Sequence, residues 1–211
     1  MFTLSNLALF AGSSILLILA PGPDIIFTIT QGVSNGKRAG VLTALGLAAG
    51  NIVHTFAAAF GVSIIFKTSQ VAFIAFKTLG ALYLFYLAIM AVRHRRDMFR
   101  TESRGDKRTS GAALCAKGFL MNVLNPKVAL FFLAFLPQFV NGHAGHVPLQ
   151  IITLGFIFIA LVVVIFGTLG YFAGSCAQKL LANRRFSETM GIVSAAVFIG
   201  LGVKLALSGN R

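Results

Sequence analysis

Ala20-Pro21-Gly22-Pro23-Asp24 lies inside an apolar run that begins at Leu7 and resumes with Ile25-Ile26-Phe27. An α-helix cannot pass through it. Pro21 and Pro23 donate no backbone hydrogen bond and clash with the preceding turn, which leaves the carbonyls of Leu17 and Leu19 without helical partners. In lipid such groups persist only where protein buries them or where they line a wet cavity. Asp24 then places a carboxylate directly after the break. Transporters build binding sites in this way, from a broken helix and a charge at membrane depth. The stretch therefore marks Pro21, Gly22, Pro23 and Asp24 as candidate substrate-binding residues.

Working outward, the composition demands a membrane. Of 211 residues, 57% are hydrophobic and 11% charged, with mean hydropathy +0.87; soluble domains carry about a quarter charged. Apolar stretches near 4–30, 40–66, 70–92, 112–140, 148–175 and 187–208 each reach the roughly 20 residues of a bilayer crossing. The fold expected is an all-α integral membrane protein with six transmembrane helices. Met1-Phe2-Thr3-Leu4 has no basic region of the signal-peptide kind, so the first segment is expected to stay.

The net charge of +13 would suggest nucleic acid in a soluble protein. Here the basic residues fall between apolar segments, so no nucleic acid is expected, and membrane lipids are the natural partners. The long connection 93–111 is the most basic, from Arg93-His94-Arg95-Arg96 to Lys107-Arg108. If it is cytoplasmic, the same side receives Lys37, Arg38, Lys117, Lys179, Arg184 and Arg185, whereas Lys67 and Arg211 fall opposite. The positive-inside rule then puts both termini outside. Three segments on each side of this loop make the halves inverted: a first repeat over 1–92, the loop 93–111, and a second repeat over 112–211.

The halves also share features. Gly80 to Arg93 reads G-A-L-Y-L-F-Y-L-A-I-M-A-V-R, and Gly191 to Lys204 reads G-I-V-S-A-A-V-F-I-G-L-G-V-K. More telling is Leu124-Asn125-Pro126-Lys127, which interrupts the fourth segment where Pro21–Pro23 interrupts the first. Matching breaks in inverted halves are a strong sequence pointer to a transport site. Asn125, Pro126 and Lys127 thus join the candidate site.

An ammonium at the bilayer centre costs about 2.5–3.5 kcal/mol on insertion scales, so Lys127 must turn inward. Asp24 is the obvious counterpart, either in a fixed ion pair or across a cavity that takes a zwitterion. In the second case Asp24 meets the ammonium of the substrate and Lys127 its carboxylate; Asp24 is also a candidate proton carrier. Asn51 and His54 share a helical face, as do Asn122 and Asn125. Asn51 is a further candidate substrate contact, whereas an interhelical hydrogen bond suits His54. Gly46-x-x-x-Gly50 suits tight helix packing, and Pro137 a kink or helix end. Tyr83 and Tyr86 read as packing residues, and the 21 phenylalanines mostly as lipid-facing bulk. His143 and His146 make a weak metal signal, and Cys115 and Cys176 read as free thiols. No cofactor and no metal are expected. Neither an H-E-x-x-H motif nor a Gly-Lys-Ser phosphate loop occurs, which argues against an ATP-driven pump.

The P-G-P-D break, the turn Gly36-Lys37-Arg38-Ala39-Gly40, the stretch Gly80-Ala81-Leu82-Tyr83-Leu84 and the Asn125-Pro126-Lys127 break together resemble the LysE/RhtB family of bacterial amino-acid exporters. The likeness covers essentially the whole chain. It implies a multi-pass inner-membrane exporter, not an enzyme, of amino acids or derivatives such as lysine, threonine, homoserine, leucine or homoserine lactone. It further implies efflux coupled to the proton-motive force, by proton antiport, and allows a homodimer. With Asp24 as the lone cavity carboxylate, a neutral zwitterion is favoured over a dibasic amino acid. Two other readings compete. Efflux of a divalent metal would need more intramembrane His, Asp or Glu, and a membrane-embedded enzyme would need paired carboxylates or a Ser-Lys pair at one depth.

Overall fold

The computed structural model describes residues 2–62, 70–95, 110–173 and 183–207, with no strand among them. Helix α1 spans Leu4–Leu19, with the Thr3 hydroxyl accepting from the Asn6 N–H as its cap. Helix α2 spans Pro23–Asn35, and α3 spans Lys37–Ala57, running on into a π-helical turn over Ala58–Val62. Helix α4 spans Gln70–Arg93, and α5 spans Gly111–Val123. The short α6, Pro126–Leu130, leads into a π-helical turn over Phe131–Phe135 and a 3-10 turn over Leu136–Phe139. Helices α7, Val147–Phe172, and α8, Arg184–Leu207, complete the described chain.

Three stretches are long and apolar enough to cross a bilayer: Lys37–Gly61, Val147–Phe172 and Arg185–Leu207. The α1–α2 pair, bent by 60°, and the pair Gly111–Val123 with Pro126–Phe139, bent by 51°, raise the number to five if each is one span.

Both expected breaks are present, and each forms for a local reason. Ala20 and Gly22 are extended, at φ −60°, ψ 118° and φ −166°, ψ 179°. Asn125 is extended too, at φ −78°, ψ 109°. Pro23 and Pro126 then open the following helices, where a missing N–H costs no helical bond. Pro137 lies in the terminal 3-10 turn, so it ends the segment, as expected.

The first segment extends beyond the expected 30 to Asn35. Its end is set by Gly36, whose φ of +86° is a conformation that favours glycine, and not by the earlier fall in hydropathy. The boundaries expected at 40, 92, 112, 140, 148 and 187 move by a few residues, and those expected at 66, 175 and 208 lie outside the described residues. Most of the basic loop (96–109), Lys67, Cys176, Lys179, Arg211 and the side chains of His143 and Arg184 lie outside the described residues. Cys115 is a free thiol.

Helix α3 packs against α2, α5 and α7, while α4 pairs with α8. Small residues permit the close crossings. A Cβ on Gly46 would strike the Cys115 carbonyl oxygen, and one on Gly118 would come within 2.7 Å of the Thr43 carbonyl oxygen. The expected packing role of Gly46 and Gly50 is thus seen in the α3–α5 contact.

The reading of the phenylalanines needs correction. Phe56, Phe60, Phe156 and Phe172 do face outward, but Phe10, Phe131, Phe132, Phe135, Phe139 and Phe158 are buried. Their rings meet at 4.8–6.2 Å between centroids. Hydropathy cannot tell a side chain facing lipid from one facing the core, because both surroundings are apolar.

The bundle has two chemically different ends. At one, Asn6 Nδ2 donates to the Phe139 carbonyl at 2.9 Å, and Gln150 holds Asn141 and Gly145 by three bonds. The Lys204 ammonium lies over the Phe139 ring at 4.3 Å, which brings the C-terminal end of α8 there. At the other end, Arg38 and Gly111 border a common cavity. The Ser187 hydroxyl donates to the Arg95 carbonyl at 2.6 Å, joining the start of α8 to the end of α4 in this basic part of the molecule.

Candidate functional site

The two breaks meet. Asp24, in the first turn of α2, is 6% exposed, and both its oxygens are held by amides from the other break. Asn125 Nδ2 donates to Oδ1 at 2.8 Å, and Asn122 Nδ2 donates to Oδ2 at 3.1 Å. The Asn125 side chain also acts through its oxygen, which accepts from the Lys127 backbone N–H at 3.0 Å and so caps α6. One side chain thereby starts the half-helix after the second break and clamps the carboxylate after the first.

Lys127 reaches back the other way. Its ammonium donates to the Ala20 carbonyl at 2.8 Å, closing the broken end of α1. The two charged groups therefore spend their hydrogen bonds elsewhere: Asp24 on asparagine amides, Lys127 on a backbone carbonyl. Neither of the arrangements expected from the sequence, a direct ion pair or a zwitterion-sized gap, is the one adopted. The lining residues enclose about 20 Å³, room for about one water and not for an amino acid. The carbonyl used is that of Ala20, which no proline rule singled out.

Gly22, Asp24, Asn51, Asn125 and Lys127 all line this cavity; Pro21, Pro23 and Pro126 do not, and act by shaping the breaks. Ala20 and Asn122 are polar contributors beyond the expected set, and the apolar wall is Leu17, Ile18, Ile25, Val128, Phe158, Val162 and Phe166. The α7 members had no sequence signal, since phenylalanine and valine are ordinary in any apolar segment.

Two acceptors in this region are left open. Asn51 Nδ2 donates to the Leu47 carbonyl at 2.8 Å, which fixes its amide and leaves the buried Oδ1 without a partner. Asn122 Oδ1 is likewise without one, and it rests against Gly50, where a Cβ would approach it to 2.7 Å. Buried polar atoms are normally paired, so Asn51 Oδ1 is an available acceptor on a residue that lines the same cavity as Asp24.

His54 takes the structural role expected of it. Pro126 cannot donate to the Asn122 carbonyl, and His54 Nε2 supplies a bond there at 3.1 Å. A carbonyl only accepts, so Nε2 carries the proton. The ring also stacks on Phe132 at 5.8 Å. Tyr83 and Tyr86 pack on each other at 5.8 Å and line no part of the cavity.

Gly32-Val33-Ser34-Asn35-Gly36 matches the letters of G-x-S-x-G. Ser34 nevertheless sits in the last turn of α2, without the strand-to-helix elbow that exposes a nucleophile. Among the described residues no group of three or more His, Cys, Asp or Glu comes together.

The family model for LysE type translocators matches residues 15–209. The chain is 29% identical to a leucine efflux protein of Klebsiella pneumoniae over 212 residues, covering 97% of this chain and 96% of the relative. A leucine efflux protein of Salmonella choleraesuis is 27% identical, with 92% and 91% covered. An uncharacterized membrane protein of Pseudomonas aeruginosa is 31% identical, with 91% and 90% covered. No solved structure matches the chain. With the family model spanning nearly its whole length, the chain belongs to the LysE type translocator family.

Proposed function

We propose that the protein is a secondary exporter of neutral amino acids, with its site between the two broken helices. The observation that carries this reading is the meeting of both breaks at one buried cluster, Asp24 with Asn122 and Asn125, and Lys127 with Ala20. The site holds matched groups for a zwitterion: Asp24 and Asn51 Oδ1 to accept from an ammonium, and Lys127 to donate to a carboxylate. Leucine efflux among the relatives supports amino acids as the cargo class.

The conformation described is a closed one, its cavity too small for an amino acid. To admit substrate, the Lys127 ammonium leaves the Ala20 carbonyl and the cavity widens; rocking of one half against the other then alternates access. In this proposal α4 is a sixth span, and the halves 1–92 and 112–211 are inverted repeats. The basic end is cytoplasmic, the membrane is the inner one, and the proton gradient drives efflux. Divalent-metal efflux is the weaker reading, because the described residues assemble no donor set for it.

The test is efflux from proteoliposomes preloaded with the twenty amino acids, with and without a pH gradient. Selective loss of neutral amino acids, abolished by Lys127→Ala, is the expected result. Persistent dependence on the gradient in Asp24→Asn would move proton coupling to another group. No efflux from vesicles holding folded protein would overturn the reading.

A further inference from the structure

The two asparagine amides that hold Asp24 differ in their freedom to turn. Asn125 is committed at both ends, its Nδ2 to Asp24 Oδ1 at 2.8 Å and its oxygen to the Lys127 N–H at 3.0 Å. Turning that amide over would break both bonds. Asn122 is committed at one end only. Its Nδ2 donates to Asp24 Oδ2 at 3.1 Å, while its oxygen, on a side chain of a residue 1% exposed, has no partner. The backbone beneath it is pinned, because the Asn125 N–H at 2.9 Å and His54 Nε2 at 3.1 Å both donate to the Asn122 carbonyl.

An amide has a donor end and an acceptor end, and a carboxyl group needs a different one in each protonation state. As a carboxylate, Asp24 only accepts, and both amide nitrogens suit it. As an acid it must also donate one O–H. On Oδ1 that proton would confront an amide locked in place. On Oδ2 it meets an amide that can turn: a half-turn replaces the bond from Asn122 Nδ2 by one from the acid O–H to Asn122 Oδ1. Nδ2 is then the unpaired atom where Oδ1 was before. One orphan is exchanged for another, so the half-turn adds no further desolvation penalty.

Resting on the exporter reading above, we infer that Asn122 is the positioning residue for proton coupling, its side-chain amide turning over as Asp24 Oδ2 gains a proton and turning back as it loses it. The proton is taken from water on the outer side and returned to water on the cytoplasmic side; the O–H bond is the only covalent bond made and broken. Protonated Asp24 carries no charge and spends its O–H on Asn122, so it releases the cargo's ammonium. Proton and ammonium take turns on one carboxylate, which moves one proton inward for each amino acid outward. Lys127 of α6 and His54 of α3 are the other titratable groups acting on Asp24, and their bonds go to the carbonyls of Ala20 and Asn122. Lys117 of α5 lies a turn away over the Phe27 ring, at 5.3 Å, and the lining residues from α1 and α7 carry no titratable group.

The experiment uses the full chain in proteoliposomes preloaded with the twenty amino acids, with and without acid outside. The quantity read is the ratio of the two efflux rates, which a site that is only weakened leaves unchanged. In Asn122→Leu, similar in size but without an amide, the ratio is expected to fall to about one, because neither protonation state of Asp24 is then matched. Asn122→Ala carries the same expectation should Asn122→Leu fail to fold. A second readout needs no transport. On acidifying the protein in lipid, infrared difference spectra are expected to show a protonated-carboxyl band that Asp24→Asn lacks, with a side-chain amide change that Asn122→Leu lacks. A wild type indifferent to the gradient, variants slowed by one common factor with and without it, or an amide change that persists in Asn122→Leu would overturn the inference and leave amino-acid export standing. A wild type that exports none of the twenty would overturn both.

Discussion

Asp24 is surrounded by donors of unequal freedom. The Asn125 amide is fixed, because its oxygen caps α6 while its nitrogen holds Asp24. The Asn122 amide can turn over, since its oxygen has no partner to lose. Asp24→Asn converts one acceptor into a donor, and a flip of Asn122 accommodates it; we expect stability within about 1 kcal/mol of wild type. Asn125→Ala removes both the cap and a bond to a buried charge, and should cost about 2–4 kcal/mol. Thermal unfolding in detergent ranks the two, and equal loss would contradict this account. Asn51→Ala belongs at the same scale. Its oxygen holds nothing in the closed state, so the melting temperature should barely change. If that oxygen accepts from the substrate ammonium, KM for efflux should rise about tenfold or more, the worth of a hydrogen bond to a charged group.

Between elements, backbone approach decides. Helix α5 lies on α3 closely enough that a Cβ on Gly50 would come within 2.7 Å of Asn122 Oδ1 and 2.8 Å of its Cβ. Gly50→Ala therefore pushes on the residue that holds Asp24, and overpacking of this kind costs about 1–3 kcal/mol. Gly12 has nothing within 4 Å of the same position, so Gly12→Ala should be neutral or gain up to about 1 kcal/mol from helix propensity. Transport should fall in the first variant and hold in the second. A Gly50→Ala protein with wild-type stability and efflux would show that α3 and α5 can separate freely.

Over the whole molecule, the ends differ in charge. Lys37, Arg38, Arg93, Arg95 and Arg185 stand at the starts or ends of helices, and the proposed orientation puts them all in the cytoplasm. Lys37→Cys and His146→Cys, each in a chain carrying Cys115→Ser and Cys176→Ser, should then label from opposite sides of the membrane with an impermeant thiol reagent. Lys37→Cys should react only from the cytoplasmic side. Labelling of both from one face would show that α3, α4 or the bent α5–Phe139 pair does not cross.

The residues alone determined a good deal: a membrane setting, both helix breaks, the fit of Gly46 and Gly50, and the placing of Asp24, Asn125 and Lys127 at the breaks. These are local consequences. A proline has no N–H wherever it sits, and a charge in an apolar segment needs a partner whatever the topology. Only the tertiary structure decided which partner each charge takes. The proline rule frees the carbonyls of Leu17 and Leu19, yet Lys127 bonds Ala20; Asp24 faces Lys127 in sign, yet asparagine amides hold it. Such pairings depend on where separate helices cross, to within an ångström. The apolar wall of α7 and the buried phenylalanines escaped for a related reason. Lipid and protein interior are equally apolar, so hydropathy gives an apolar side chain no direction, and packing alone supplies one.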